Sequence, residues 1–190
     1  SNTAVALTTS TAVGDTTNLA LVIGSNTLTV SHSVDGDYVV TITRNPAVTA
    51  LIIKDQADNP ITLSPTFTSG TLTGYTATTL ATATSLKVTA TFASGTATAK
   101  TGSNTAVTLT TDTEKVDTDN LALVIGSNTL TVTHDEDGAY VVTITRPYQL
   151  SGLIIKDQAD NAITLSPTFA SGTLTGYTAT TLATATSLKV

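Results

Sequence analysis

From Ser85 the chain reads SLKVTATF, so that Leu86, Val88, Ala90 and Phe92 fall on one side and Lys87, Thr89 and Thr91 on the other. Apolar and polar residues that alternate with a period of two describe a strand with one face in a core and one in water. The same reading runs through the middle of the chain. It passes through LIIK from Leu51, a turn at DQADNP, an extended ITLSPTF and a Gly-bounded SGTLTG. YTATTL, SLKVTATFA, TATAK, TAVTLTT, NLALVIG, NTLTVTH and YVVTITR follow. In the last two, Leu130 and Val132 share a face, as do Tyr140, Val142 and Ile144, and DEDG between them supplies an Asp-Gly hairpin turn. No helical periodicity interrupts this series. The expected fold class is all-β, in antiparallel sandwich modules of about seven short strands each.

The pattern is written nearly twice. SNTAVALTTS at Ser1 returns as SNTAVTLTTD at Ser103, NLALVIGSNTLTV at Asn18 returns at Asn120, and LIIKDQADN at Leu51 returns at Leu153. Each pairing has an offset of about 102 residues, with roughly four positions in five identical, as a tandem duplication of a domain-sized unit leaves them. The copies diverge most after YVVTITR, where Arg44 is followed by NPAVTA and Arg146 by PYQLSG. Such Pro-containing, small-residue stretches have the character of linkers. This phase divides the chain into a back half of a module at 1–44, a linker at 45–50 and a complete module at 51–146. A second linker at 147–152 and a front half of a module at 153–190 complete it.

LSPTF at Leu63, Tyr75 eight residues beyond Phe67, and SLKVTATF resemble the front half of the bacterial cadherin-like β-sandwich domain. LVIGSNTLTVTHDEDGAYVVTITR, from Leu123 to Arg146, resembles its back half, with a Gly-x-Asn turn, an alternating strand, an Asp-Gly hairpin and a closing Thr-x-Arg. The resemblance covers 51–146. It implies tandem Ig-like modules of secreted or cell-surface bacterial proteins, with no enzymatic activity of their own.

Composition narrows the functions. About a quarter of the residues are Thr, a β-branched type suited to the outer face of a sheet, and only 12% are charged. The net charge is −6 and the eight Lys and Arg are scattered, so no basic stripe exists to neutralise phosphates and nucleic acid is not an expected partner. The longest apolar run is the five residues LALVI, so no segment is expected to insert in a bilayer as a helix. Cysteine is absent, which removes disulfides without fixing a compartment.

Catalytic chemistry finds little to work with. His32 and His134 are one position in two copies, at the end of the strand before the hairpin, and no Ser lies in a Gly-x-Ser-x-Gly elbow. Calcium is the stronger candidate, since clustered oxygen ligands suit a hard cation. Asp135, Glu136 and Asp137 cluster, as do Asp112, Glu114, Asp117 and Asp119, but their first-copy counterparts are Ser33, Val34 and Asp35, and Ser10, Ala12, Asp15 and Thr17. These acids therefore read as a solvated surface. Asp55, Asp58 and Asn59 survive intact as Asp157, Asp160 and Asn161 and form the candidate calcium set, against an Asx turn that satisfies local N–H groups. Lys54, Lys87 and the scattered Asn are candidates for an intramolecular isopeptide crosslink.

A half module of about 40 residues without disulfides seldom folds alone, and its unpaired strand edges invite another chain. The flanking halves are therefore expected to be completed by neighbouring repeats or by other copies, head to tail, through β-strand complementation. The functional expectation is a structural element of an extracellular or cell-surface bacterial fibre or stalk, with self as the partner and no enzymatic role. An adhesin or carbohydrate-binding module, with glycans as ligand, is the alternative. Against it, Tyr38, Phe67, Tyr75, Phe92, Tyr140, Phe169 and Tyr177 fall on or beside expected strands, leaving Tyr148 in a linker.

Overall fold

A computed structural model describes residues 19–190. Among them there is no helix, and the chain is all-β, organised in several sheets. The expected Ser10, Ala12, Asp15 and Thr17 positions, with the rest of 1–18, lie outside the described residues.

Two strands open the described chain, β1 (Gly24–His32) and β2 (Gly36–Arg44), and they pair only with each other. The middle of the chain contributes eight more: β3 (Val48–Asp55), β4 (Tyr75–Thr78), β5 (Leu86–Phe92), β6 (Ala97–Thr101), β7 (Val107–Leu109), β8 (Lys115–Val116), β9 (Gly126–His134) and β10 (Gly138–Arg146). They build one sheet in the order β4-β10-β9-β6-β7 and another in the order β3-β5-β8. Every neighbouring pair is antiparallel except β4 with β10, which run parallel from Tyr75↔Val142 to Thr78↔Thr145. Parallel pairing needs a long crossover rather than a hairpin, and here the five strands β5 to β9 separate the two in sequence.

Both sheets turn their apolar positions to one cluster. Leu51, Ile53, Leu86, Val88 and Ala90 come from one sheet, and Ala97, Ala99, Leu130, Val132, Tyr140, Val142 and Ile144 from the other. On β5 the buried positions are Leu86, Val88, Ala90 and Phe92, the face that the alternation predicts. Every buried hydrophobic residue of the described chain lies between Val48 and Ile144.

Some elements differ from the reading of the sequence. β3 begins at Val48, inside the segment assigned to a linker, because Val48 is apolar enough to enter the core. NLALVIG carries no ladder strand before its last residue, Gly126, which opens β9: Leu121 and Leu123 are buried, but bridging in 120–125 is confined to Ser85 with Ala122. ITLSPTF likewise makes only a bridge, Ser64 with Thr76, while Ile61 and Leu63 enter the core. Apolar alternation reports burial, and burial does not require a hydrogen-bonded ladder.

Beyond Arg146 the elements are short: β11 (Ile155–Asp157), β12 (Ala162–Ile163), β13 (Leu165–Ser166), β14 (Thr178–Ala179) and β15 (Leu188–Lys189). They form the sheets β12-β11-β15 and β13-β14, with most residues exposed.

Candidate functional site

The candidate calcium residues come together, and their geometry is that of an Asx turn. Asp55 ends β3 and is buried; its Oδ1 accepts the N–H groups of Ala57 (2.8 Å) and Asn59 (2.9 Å), and its Oδ2 accepts Asn59 Nδ2 (2.8 Å). Burial pushes the Asp55 carboxyl up, but the Asn59 side chain and the two backbone donors outweigh it and hold the group below the usual carboxylate range. Asp58, at φ +66°, turns away to Lys87 Nζ at 2.8 Å, and that hydrogen bond lowers its pKa. The second copy repeats these distances: Asp157 takes Ala159 N–H (2.8 Å), Asn161 N–H (2.9 Å) and Asn161 Nδ2 (2.8 Å), and Lys189 Nζ reaches Asp160 at 3.0 Å. Among the described residues, no group of three or more His, Cys, Asp or Glu is placed to hold a metal ion.

Lys54 and Lys87 are held by acids. Lys54 Nζ donates to Glu114 Oε2 at 2.8 Å, and Asp58 lies between the two ammonium groups. His134 is buried with both ring nitrogens engaged: Nε2 faces the Ser94 carbonyl at 2.8 Å and Nδ1 accepts the Glu136 N–H at 3.2 Å.

Of the 135–137 hairpin acids, Asp135 and Glu136 are exposed as a solvated surface requires, and Asp137 is not. Asp135 Oδ2 accepts Thr96 N–H and Oγ1, both at 3.0 Å. Asp137 is buried and joins the last hairpin of the middle segment to its first strand: Oδ1 accepts Ala47 N–H at 2.9 Å, and Oδ2 accepts Val48 N–H at 2.8 Å and the Tyr140 hydroxyl at 2.7 Å. Burial alone would raise the Asp137 pKa, but these three donors lower it, and burial and the same carboxylate push the Tyr140 phenol up. The signal was legible. Of the three hairpin acids, Asp137 alone keeps its identity in the first copy, as Asp35.

The largest contrast in the molecule lies between two nearly identical hairpin sequences. β1–β2 and β9–β10 share their register throughout, from Gly24↔Arg44 and Gly126↔Arg146 to His32↔Gly36 and His134↔Gly138. They also share their turn: Asn26 and Asn128 each take a valine N–H at 2.8 Å and return Nδ2 to that valine's carbonyl at 2.8 Å. Yet Tyr140 and Val142 are wholly buried, while their equivalents Tyr38 and Val40 are 55% and 47% exposed. Val22 and Val124, which face outward in both copies, are 65% and 66% exposed. The difference is largest on the face that a core would cover and smaller on the other, where Val39 is exposed and Val141 half-buried.

The carboxy-terminal segment shows the complementary deficit. Its local contacts match the middle copy: Gln158 Oε1 accepts Thr186 N–H as Gln56 Oε1 accepts Thr84 N–H, and the Tyr177 hydroxyl reaches the Ala170 carbonyl as Tyr75 reaches Thr68. Its core face is open. Leu188 is 60% exposed where Leu86 is fully buried, and an open trough of about 600 Å³ is lined by Ile163, Ala179 and Thr181, whose counterparts Ile61, Ala77 and Thr79 are buried.

Compared with family models, curated proteins and solved structures, the chain matches none of them.

Proposed function

We propose that this chain is a structural repeat of an extracellular bacterial fibre or surface stalk, built from tandem Ig-like, cadherin-like sandwiches, with copies joined head to tail. In this reading 51–146 is a complete module, and the two bare flanks are halves of a module of the same kind. The observation that carries it is the pair of nearly identical hairpins, one with its apolar face covered and one with that face open. What covers β9–β10 is the segment 48–92, and 153–190 repeats the sequence of 51–88. The occupant fitted to the bare β1–β2 face is therefore the carboxy-terminal segment of another copy.

The seam of the middle segment supplies the contacts. β4 pairs with β10, Val141 N–H donates to the Leu72 carbonyl at 2.7 Å, Leu86 N–H to Leu121 at 2.9 Å, and Leu123 N–H to Thr84 at 2.8 Å. Between copies the same bonds fall on β14 with β2, Val39 with Leu174, Leu188 with Leu19, and Leu21 with Thr186. Burying each large apolar side chain contributes about 1.5–3 kcal/mol, while association costs about 4–15 kcal/mol, so docking requires the whole face rather than one strand. Heterologous contacts of this kind propagate along a line instead of closing a ring.

The test is electron microscopy of the native material and of the concentrated chain. Long uniform fibres with an axial repeat of one module are expected. Dispersed particles at all concentrations would remove the self-assembly reading.

A further inference from the structure

The bare hairpin carries one polar group whose partner the middle segment identifies. We propose that the Asp35 carboxylate is a docking site for the main chain of a second copy, receiving the N–H groups of that copy's Gln149 and Leu150. The inference rests on the head-to-tail reading above and names the contact that sets its register.

Asp35 occupies the position of Asp137 in a hairpin of the same length and register. Asp137 is saturated by Ala47 N–H, Val48 N–H and the Tyr140 hydroxyl. Asp35 keeps the last of these, the Tyr38 hydroxyl at 3.4 Å from its Oδ2, and has His32 Nδ1 at 3.0 Å from the same oxygen; its Oδ1 receives no donor among the described residues, and the side chain is 55% exposed. The residues one period beyond Ala47 and Val48 are Gln149 and Leu150. Val48 is fully buried beside the carboxylate in the middle segment, and Leu150, 56% exposed, offers an apolar side chain for the same place. Recognition through N–H groups also explains why these linkers can diverge in sequence: any residue but proline presents the donor.

Geometry favours a second copy over the chain's own linker. Asp137 lies just before β10 and Arg146 at its end, roughly 25–30 Å away along the strand. The β1–β2 hairpin is fastened at the Asp137 end, where Arg44 Nη2 donates to the Glu136 carbonyl at 2.8 Å. Gln149 and Leu150 follow Arg146 at the other end, within about 14 Å of extended chain. Asp35 sits at the far tip of a hairpin that pairs with no other strand.

The experiment is sedimentation velocity on the full 190-residue chain over a concentration series, for wild type, Asp35→Asn, Leu150→Pro and the double variant. Wild type is expected to self-associate. Each single variant should raise the concentration for half-association by about tenfold, the scale of one charge-assisted hydrogen bond. The double variant should be no worse than the poorer single, because both remove the same contact. Melting of the middle segment should be unchanged in all three, since Asp137, Ala47 and Val48 are untouched. If wild type associates and Asp35→Asn associates equally well, the carboxylate is not the docking group, although head-to-tail assembly stands. If wild type stays monomeric throughout, the assembly reading fails and the docking site with it.

Discussion

Asp55 and Asp137 are used alike, each a buried carboxylate that gathers N–H donors from chain it does not directly follow or closes a loop around itself. Hydrogen bonds to a charged group contribute about 1.5–3 kcal/mol each, so Asp137→Asn should destabilise the middle segment by about 2–3 kcal/mol, measured by thermal or denaturant unfolding. The pH dependence follows in sign. Both folded-state pKa values lie below the ordinary 3.8, so the unfolded chain takes up protons first as the solution is acidified. Their stabilisation is complete above about pH 5 and is lost as pH falls through the folded-state values. The melting temperature should therefore hold from neutral pH to about pH 5 and drop below about pH 4, less steeply for Asp137→Asn than for wild type. Asp55 was legible in the sequence, because both copies keep its DQADN context and an Asx turn is a local structure. Asp137 was legible only as the one hairpin acid that both copies keep; its partners lie 89 and 90 residues away and nothing local marks them.

Hairpin sequence fixes hairpin structure here with or without a core. Gly24 and Gly126, at φ +90° and +95°, and the Asn26 and Asn128 amides close identical turns, so register is set by groups within a few residues of each other. Alternation then states which face is apolar, but it cannot state which element covers it. That is why NLALVIG and ITLSPTF, apolar and extended, were read as strands although they supply core side chains and isolated bridges. It is also why the two-residue β8 at Lys115 and Val116, with a charged residue and no alternating neighbours, went unread. The two hairpins make a controlled pair of substitutions. Leu130→Ala empties a fully buried site and should cost about 2–5 kcal/mol in unfolding. Leu28→Ala, the same change in the uncovered copy, should leave melting of the middle segment unchanged and weaken association instead. Equal effects of both on melting would mean that β1–β2 belongs to the same cooperative unit.

At the scale of the molecule, the core of the described chain is one cluster between Val48 and Ile144, and the described segments on either side bury no hydrophobic residue. The repeat could be read from residue order, because duplication leaves a second copy to align, and the apolar face of β5 from its alternation. What covers an apolar face could not, since that is a property of segments distant in the chain, as β4 at Tyr75–Thr78 is from β10 at Gly138–Arg146. Head-to-tail docking makes a definite geometric claim, because the middle segment pairs Thr145 with Thr78 across neighbouring strands, and the corresponding pair between copies is Thr43 with Thr180. Neighbouring strands lie about 4.8 Å apart, within reach of a disulfide, and the chain has no cysteine of its own to confuse the result. The decisive measurement is mild oxidation of the Thr43→Cys, Thr180→Cys double variant, resolved on a non-reducing gel. A ladder of covalent multimers that collapses on reduction, absent from either single variant, is the expected result. Uncrosslinked monomer, or a monomer closed by its own internal disulfide, would contradict the account.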